Sequence, residues 1–397
     1  MPLPPLARSA LVPRSFSSPP SPPPLARVVM NLASLLAPQK KTAKSPPAPV
    51  VPLLNEPITE AQAARFGGLR ATIASGIAAG ELYDALESIN ALFTRLMRAK
   101  QFKEAFDVSM EFSKLFFAAG VRHHPNAVSL SNSLSTKLLV PKRIAFSPEL
   151  SSAVVNTLVE ADAQLKEKAA AAGPAGAEDF AWSEEALLSW LNFFFNWIQA
   201  VDPASTGSFS LAVGCFAKKA GLFQVAERYL LYGTGDAPDQ LVSLHLGTTA
   251  KELTPELKTE LAFFGARCAL SFLAQTRPKD AYHFLMTFVK TLVKLYPELQ
   301  AHEERVMTAP GVGLPANFLQ TVLPQLTYAH LVLILVERGL DPKALASLRM
   351  VLSEGVLNVP ESADLNRLTK TITRKYGRPE HNNFYDSLFR TVGQSDA

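Results

Sequence analysis

The chain has 397 residues, of which 19% are charged and 48% hydrophobic. With a mean hydropathy of +0.10 it is too apolar and too lightly charged to remain unfolded. Six of its 39 basic and two of its 35 acidic residues fall in residues 1–60, leaving 33 of each elsewhere; a neutral body argues against phosphate-backbone binding, and no nucleic-acid partner is expected.

Residues 1–60 hold 15 of the 30 prolines and read as a disordered Pro-rich tail. No secretory signal is expected, because prolines interrupt the first apolar residues before a signal-length run can form. Cys215 and Cys268 are far apart on apolar stretches, so neither a disulfide framework nor a CxxC site is built from them. Both are expected to be buried thiols in a cytosolic protein. The uncharged stretch from Asn317 to Val336 contains Gln320, Pro324, Gln325 and His330, which disfavours a membrane span and predicts buried helical turns without membrane insertion.

From residue 61 to 376 helical periodicity dominates, and residues 377–397 form a polar tail. Leu82, Leu86, Ile89, Phe93, Leu96 and Met97 recur at steps of three and four, predicting an amphipathic helix over 81–98. After a short polar link, Phe102, Phe106, Met110, Phe116 and Phe117 mark a second helix, and the pair reads as an antiparallel hairpin. Trp182 to Val201 is a further helix; Phe209 to Lys219 with Phe223 to Tyr232, Leu261 to Ala274 with Ala281 to Tyr296, and Asn317 to Arg338 with Pro342 to Leu357 are three more pairs. Ala363 to Tyr376 closes the array. Helix pairs at this spacing predict an all-α fold, a tetratricopeptide-like α-solenoid of stacked antiparallel hairpins. Three breaks are expected: a turn at Arg122–Asn126, an Ala/Gly/Pro loop at Ala169–Ala177, and a link at Leu299–Pro315 that is long for a connection between packed helices.

Catalytic signatures are absent. Gly233-Thr234-Gly235 lacks the residues that complete a phosphate cradle, and His302-Glu303-Glu304 is no metalloprotease motif. His123 and His124 are adjacent, so their side chains diverge; a bland turn pair is expected there, with no metal and no cofactor. The aromatic run around Trp190, Phe193, Phe194, Phe195 and Trp197 carries no charge and reads as core. The first hairpin is the charge-rich segment, with Glu87, Arg95, Arg98, Lys100, Lys103, Glu104, Asp107 and Lys114 mixing both signs. That pattern describes either a solvated face or an electrostatically complementary docking face for a protein partner.

Several stretches resemble the Golgi-to-ER traffic protein 4 family: Leu69 to Ile73, Gly80 to Ala85, Phe93 to Lys100 with Glu104-Ala105, and most specifically Ala226-Glu227-Arg228-Tyr229 followed by Gly233-Thr234-Gly235-Asp236. Asn317 to Gln320 and Arg378-Pro379 match more loosely. The resemblance covers about residues 66 to 392, apart from 169–177, 129–181 and 377–383. It implies a non-enzymatic cytosolic adaptor in the delivery of tail-anchored membrane proteins to the endoplasmic reticulum. Its N-terminal helices would dock a targeting ATPase, here through Tyr83, Glu87, Arg95, Arg98, Lys100, Glu104 and Asp107. Its C-terminal half would hold a ubiquitin-like-domain protein that recruits a cochaperone, here through Val306, Met307, Val312, Leu314, Phe318, Leu319 and Leu323. The stacked hairpins by themselves also fit a structural subunit of a large multi-protein assembly, although residues 340–397 show no strand signal for the winged-helix module such subunits usually carry.

Overall fold

The structure is a computed structural model that describes residues 51–174, 176–247, 252–300, 323–340, 343–345, 348 and 363–377. All of them belong to one compact unit, Ala48–Ala397. They form the α-helices α1 (Glu60–Ala79), α2 (Leu82–Arg98), α3 (Phe102–Ala118), α4 (His124–Leu134), α5 (Pro148–Ala172), α6 (Glu184–Val201) and α7 (Thr206–Lys219). These are followed by α8 (Phe223–Tyr232), α9 (Ala237–Leu246), α10 (Pro255–Ala274), α11 (Pro278–Leu295), α12 (Pro324–Glu337) and α13 (Ala363–Tyr376). Among the described residues there is no strand, only two isolated backbone bridges.

Local chemistry sets the helix ends. Thr59 and Gln62 make a reciprocal capping box at α1, and Gly80 ends that helix with φ 86°, a left-handed conformation that costs glycine little. Ser147-Pro148 and Thr254-Pro255 start α5 and α10 with a side-chain cap followed by a proline whose missing N–H is not needed there. Connections of two or three residues, such as Ala99–Gln101, force neighbouring helices to run back along each other. Sequential pairs such as α1 on α2, α3 on α4, α7 on α8 and α10 on α11 pack together, and pairs two apart also touch: α3 on α5, α4 on α6, α5 on α7, α6 on α8, α10 on α12. That next-but-one contact is the stacking of an α-solenoid.

The core runs through the whole stack. Trp190, Trp197, Phe106, Phe116 and Phe117 are fully buried, and the indoles keep their hydrogen bonds, Trp190 Nε1 donating to Ser113 Oγ (3.3 Å) and Trp197 Nε1 to the Ile144 carbonyl (3.0 Å). Helix α10 is the hub of the C-terminal part, packing on α11, α12 and α13. Gly265 makes this possible, since a Cβ there would meet Phe288 and Leu326 at 2.6 Å.

Several expectations need correction. Arg122–Asn126 is not a turn: a 3-10 turn at Val121–His123 runs into α4, with Pro125 in its first turn. His124 is fully buried. The expected loop at Ala169–Ala177 begins only at Gly173, because α5 continues through Ala169–Ala172, alanine being the best helix former. Helices α1, α4, α5 and α9 escaped the periodicity reading; α1 buries only Ile73 and Ile77 and has no apolar stripe to betray it. The helix expected from Asn317 starts at Pro324, and it is one helix buried from Leu331 to Val336 rather than a pair of turns; residues 317–322 lie outside the described residues. So do most of the expected Pro342–Leu357 helix and the tail after Gly377. Cys268 is buried, whereas Cys215 is only half-buried, on the rim of α7.

Candidate functional site

The docking face expected on the first hairpin is built by the register of α2. Ala85, Ile89, Leu92, Phe93 and Leu96 point inward, which leaves Tyr83, Asp84, Glu87, Ser88, Ala91, Thr94, Arg95 and Arg98 on one exposed stripe. Its N-terminal half is acidic and its C-terminal half basic. This distribution complements the helix dipole, and it presents opposite charges at the two ends of a surface about 20 Å long.

Tyr83 is 72% exposed, and its hydroxyl donates to Glu87 Oε1 at 3.2 Å. Arg95 and Arg98 have no carboxylate within 4 Å among the described residues. The other three candidates are engaged elsewhere. Lys100, in a left-handed conformation with φ 54°, pairs with Glu56 at 2.7 Å. Asp107 pairs with Lys103 at 2.8 Å one turn away on α3. Glu104 takes Arg70 of α1 at 2.7 Å, and the same guanidinium also holds Glu111. Glu104 therefore ties α1 to α3 instead of meeting a nearby lysine. The structure gathers Tyr83, Glu87, Arg95 and Arg98 on one face and adds Asp84, which its position three residues before Glu87 would have revealed.

The Pro-rich tail expected over residues 1–60 gives way earlier than its composition suggests, since residues 51–56 lie against the hairpin. Asn55 Oδ1 accepts from the backbone N–H of Lys103 (2.9 Å) and Glu104 (3.2 Å), capping a helix whose own N-cap residue, Gln101, makes no side-chain cap. Gln101 donates instead to the Glu56 carbonyl. A cap supplied from 48 residues upstream has no local sequence signature.

Of the residues expected to hold a ubiquitin-like partner, Val306, Met307, Val312, Leu314, Phe318 and Leu319 lie outside the described residues. Leu323 is 2% exposed at the start of α12 and belongs to the core.

The Ala226–Tyr229 and Gly233–Asp236 stretch is a packing device. Tyr229 and Ala226 are buried; Glu227 pairs with Arg267 of α10 at 2.5 Å, and Arg228 donates to Asn192 of α6 at 2.9 Å. A Cβ on Gly207 would meet Thr234 at 2.3 Å, and one on Gly233 would meet Ala237 at 2.9 Å, so the turn and α7 touch at backbone distance. Arg277 closes the unit: its guanidinium donates to the carbonyls of Leu231 (3.1 Å) and Gly233 at the end of α8, pairs with Asp280, and lies 4.8 Å over the Phe272 ring. Among the described residues no three His, Cys, Asp or Glu side chains are placed to hold a metal ion, and no helix is long and apolar enough to cross a membrane.

The sequence profile of the family described as Golgi to ER traffic protein 4 matches residues 121–389, more than half of the chain. Helices α2 and α3 precede the matched residues, and the packed turn at 226–236 lies within them. A crystal structure of C. therm. Get4 superposes with a TM-score of 0.51 at 16% identity, over 83% of this chain and 95% of that one; at that identity the likeness speaks for the shared helical solenoid. No curated protein matches the sequence. With the packed turn, the helical stack and the profile in agreement, this chain belongs to the Golgi to ER traffic protein 4 family, the adaptors of the GET pathway for tail-anchored protein targeting.

Proposed function

We propose that the protein is a non-enzymatic cytosolic adaptor that bridges a tail-anchored-protein targeting ATPase and a ubiquitin-like-domain protein, the latter bringing a cochaperone with the client. The observation that carries the ATPase half is the exposed α2 stripe, on which Arg95 and Arg98 stand without an intramolecular carboxylate among the described residues. Unpaired guanidinium groups keep their donors for a planar acidic partner group. The acidic half at Tyr83, Asp84 and Glu87 fixes the orientation in which that partner lands. Lys100 and Glu104 act behind this face by tying residues 51–56 and α1 to the hairpin, and Asp107 pairs with Lys103 within α3. For the ubiquitin-like partner the proposed seat is the 299–315 link with Phe318 and Leu319.

An adaptor shifts an ATPase between states only by binding one of them better. Calorimetry with the ATPase in its ATP and nucleotide-free forms tests this. Arg95→Glu with Arg98→Glu should weaken ATP-state binding at least about tenfold, mainly through a slower on-rate, while capture of the ubiquitin-like partner and the helical spectrum stay unchanged. Equal affinity of wild type and variant would remove α2 as the docking face.

A further inference from the structure

Where α2 ends and α3 begins, residues 51–56 form a strap across two turns. The Val51 N–H donates to the Arg143 carbonyl (3.0 Å), and the Val51 carbonyl accepts from the Ala145 N–H (2.7 Å). Arg143 in turn closes a tight turn by donating to the Val140 carbonyl (3.1 Å). From the same turn Lys142 reaches Phe102, its Nζ 5.9 Å from the ring centroid, beside the α3 amides that Asn55 caps. These hydrogen bonds tie Val51 to the turn that carries Val140, with Leu54 three residues further along the strap; the three are 44%, 49% and 63% exposed. Three exposed aliphatic side chains on linked turns are unlike the single surface apolar residues that need no explanation.

The surroundings are cationic. Lys137 and Lys142 have no carboxylate within 4 Å among the described residues, and their Nζ atoms stand 6.0 and 5.9 Å from the ring centroids of Phe93 and Phe102. Glu56 is paired with Lys100, and Asp107 with Lys103. The chain entering at Val51 carries Arg8, Arg14, Arg27, Lys40, Lys41 and Lys44, with no Asp or Glu before Glu56.

We propose that the patch of Val51, Leu54 and Val140, rimmed by Lys137 and Lys142, binds the surface of an anionic lipid bilayer. The aliphatic side chains would sit at the headgroup boundary and the lysines extend to phosphates, as a peripheral contact without insertion of a helix. This binding does not depend on the adaptor reading.

The test is co-sedimentation of the full-length protein with phosphatidylcholine vesicles, with and without about one third phosphatidylserine, at two salt concentrations. Binding should require the anionic lipid and fall with salt. Lys137→Gln with Lys142→Gln should weaken it about 30-fold, taking about 1 kcal/mol for each lysine. Leu54→Ser with Val140→Ser should weaken it while leaving the salt dependence unchanged. All four positions are exposed, and circular dichroism checks the fold. Failure to sediment with anionic vesicles overturns the proposal, and so does equal binding by wild type and both double variants, which would assign the effect to residues 1–50 alone. Capture by an amphipathic peptide of Glu and Leu without capture by vesicles would overturn it in favour of an acidic protein partner.

Discussion

Acidification from pH 7 to 5 should loosen the junction of α3, α4 and α6, because His124 is built into it as a neutral ring. Its Nδ1 accepts from the Ser183 N–H (3.3 Å) and its Nε2 faces the Phe117 carbonyl (3.2 Å), so one nitrogen must be bare and the other protonated. Phe117 and Trp182 enclose the ring at centroid distances of 5.2 and 5.5 Å. A proton added to Nδ1 would point at another N–H. Burial is the main cause of a pKa lowered from 6.5 to about 4, with His123 adding a little repulsion. The folded state thus binds fewer protons than the unfolded chain below pH 6.5, so stability is complete above that pH and falls as pH drops toward 4. At pH 5 the loss from this one group is about 2 kcal/mol, approaching about 3 kcal/mol at pH 4. Urea unfolding followed by helical circular dichroism at pH 7, 6 and 5 measures it, against a His124→Gln variant that has no titrating ring. The wild type should lose about 2 kcal/mol more than the variant between pH 7 and 5. Parallel losses, or a His124 resonance in the folded protein titrating near 6.5, would refute the account.

Other outcomes follow from single contacts. His330 and His245 are also buried, with pKa values lowered to about 4 and about 2, so replacing either with a neutral residue should flatten the same pH dependence further. Arg277→Ala strands two carbonyls and Asp280 and should cost about 2–3 kcal/mol in urea unfolding; Arg277→Lys should recover only part, lacking the planar fork. Gly265→Ala should destabilise by about 1–3 kcal/mol through overpacking against Phe288 and Leu326, whereas Gly67→Ala, with nothing within 4 Å of the new methyl, should raise the melting temperature by a gain of about 0.5–1 kcal/mol. Asn55→Ala should cost about 1 kcal/mol and speed amide exchange in the first turn of α3, read by hydrogen-exchange mass spectrometry.

Periodicity carried much of the architecture. Helices α2, α3, α8 and α13 have one-sided apolar patterns, and their bounds fall within a residue or two of the expected ones because side-chain spacing on a helix is a local property. Helices α1 and α5 were harder: the first shows the solvent nearly every residue, the second is alanine-rich at its end, and neither pattern announces a buried face. On α2 the outward stripe follows from the inward one, so Tyr83, Glu87, Arg95 and Arg98 were legible as a shared face. The pairing of their neighbours was not, since Glu104 meets Arg70 34 residues away and Lys100 meets Glu56 44 residues away.

The amino-acid sequence by itself determined the helical class, the charge of the first hairpin and the family signature at 226–236, all of which rest on residues near one another along the chain. Only the tertiary structure decided that this signature is a packed turn clamped by Arg277, that His124 is a neutral core ring, and that residues 51–56 cap α3 and tie the exposed Val51 to the turn that carries Val140. Each of these depends on groups brought together across tens of residues by burial of the aromatic core. Local spacing carries no record of where such groups meet.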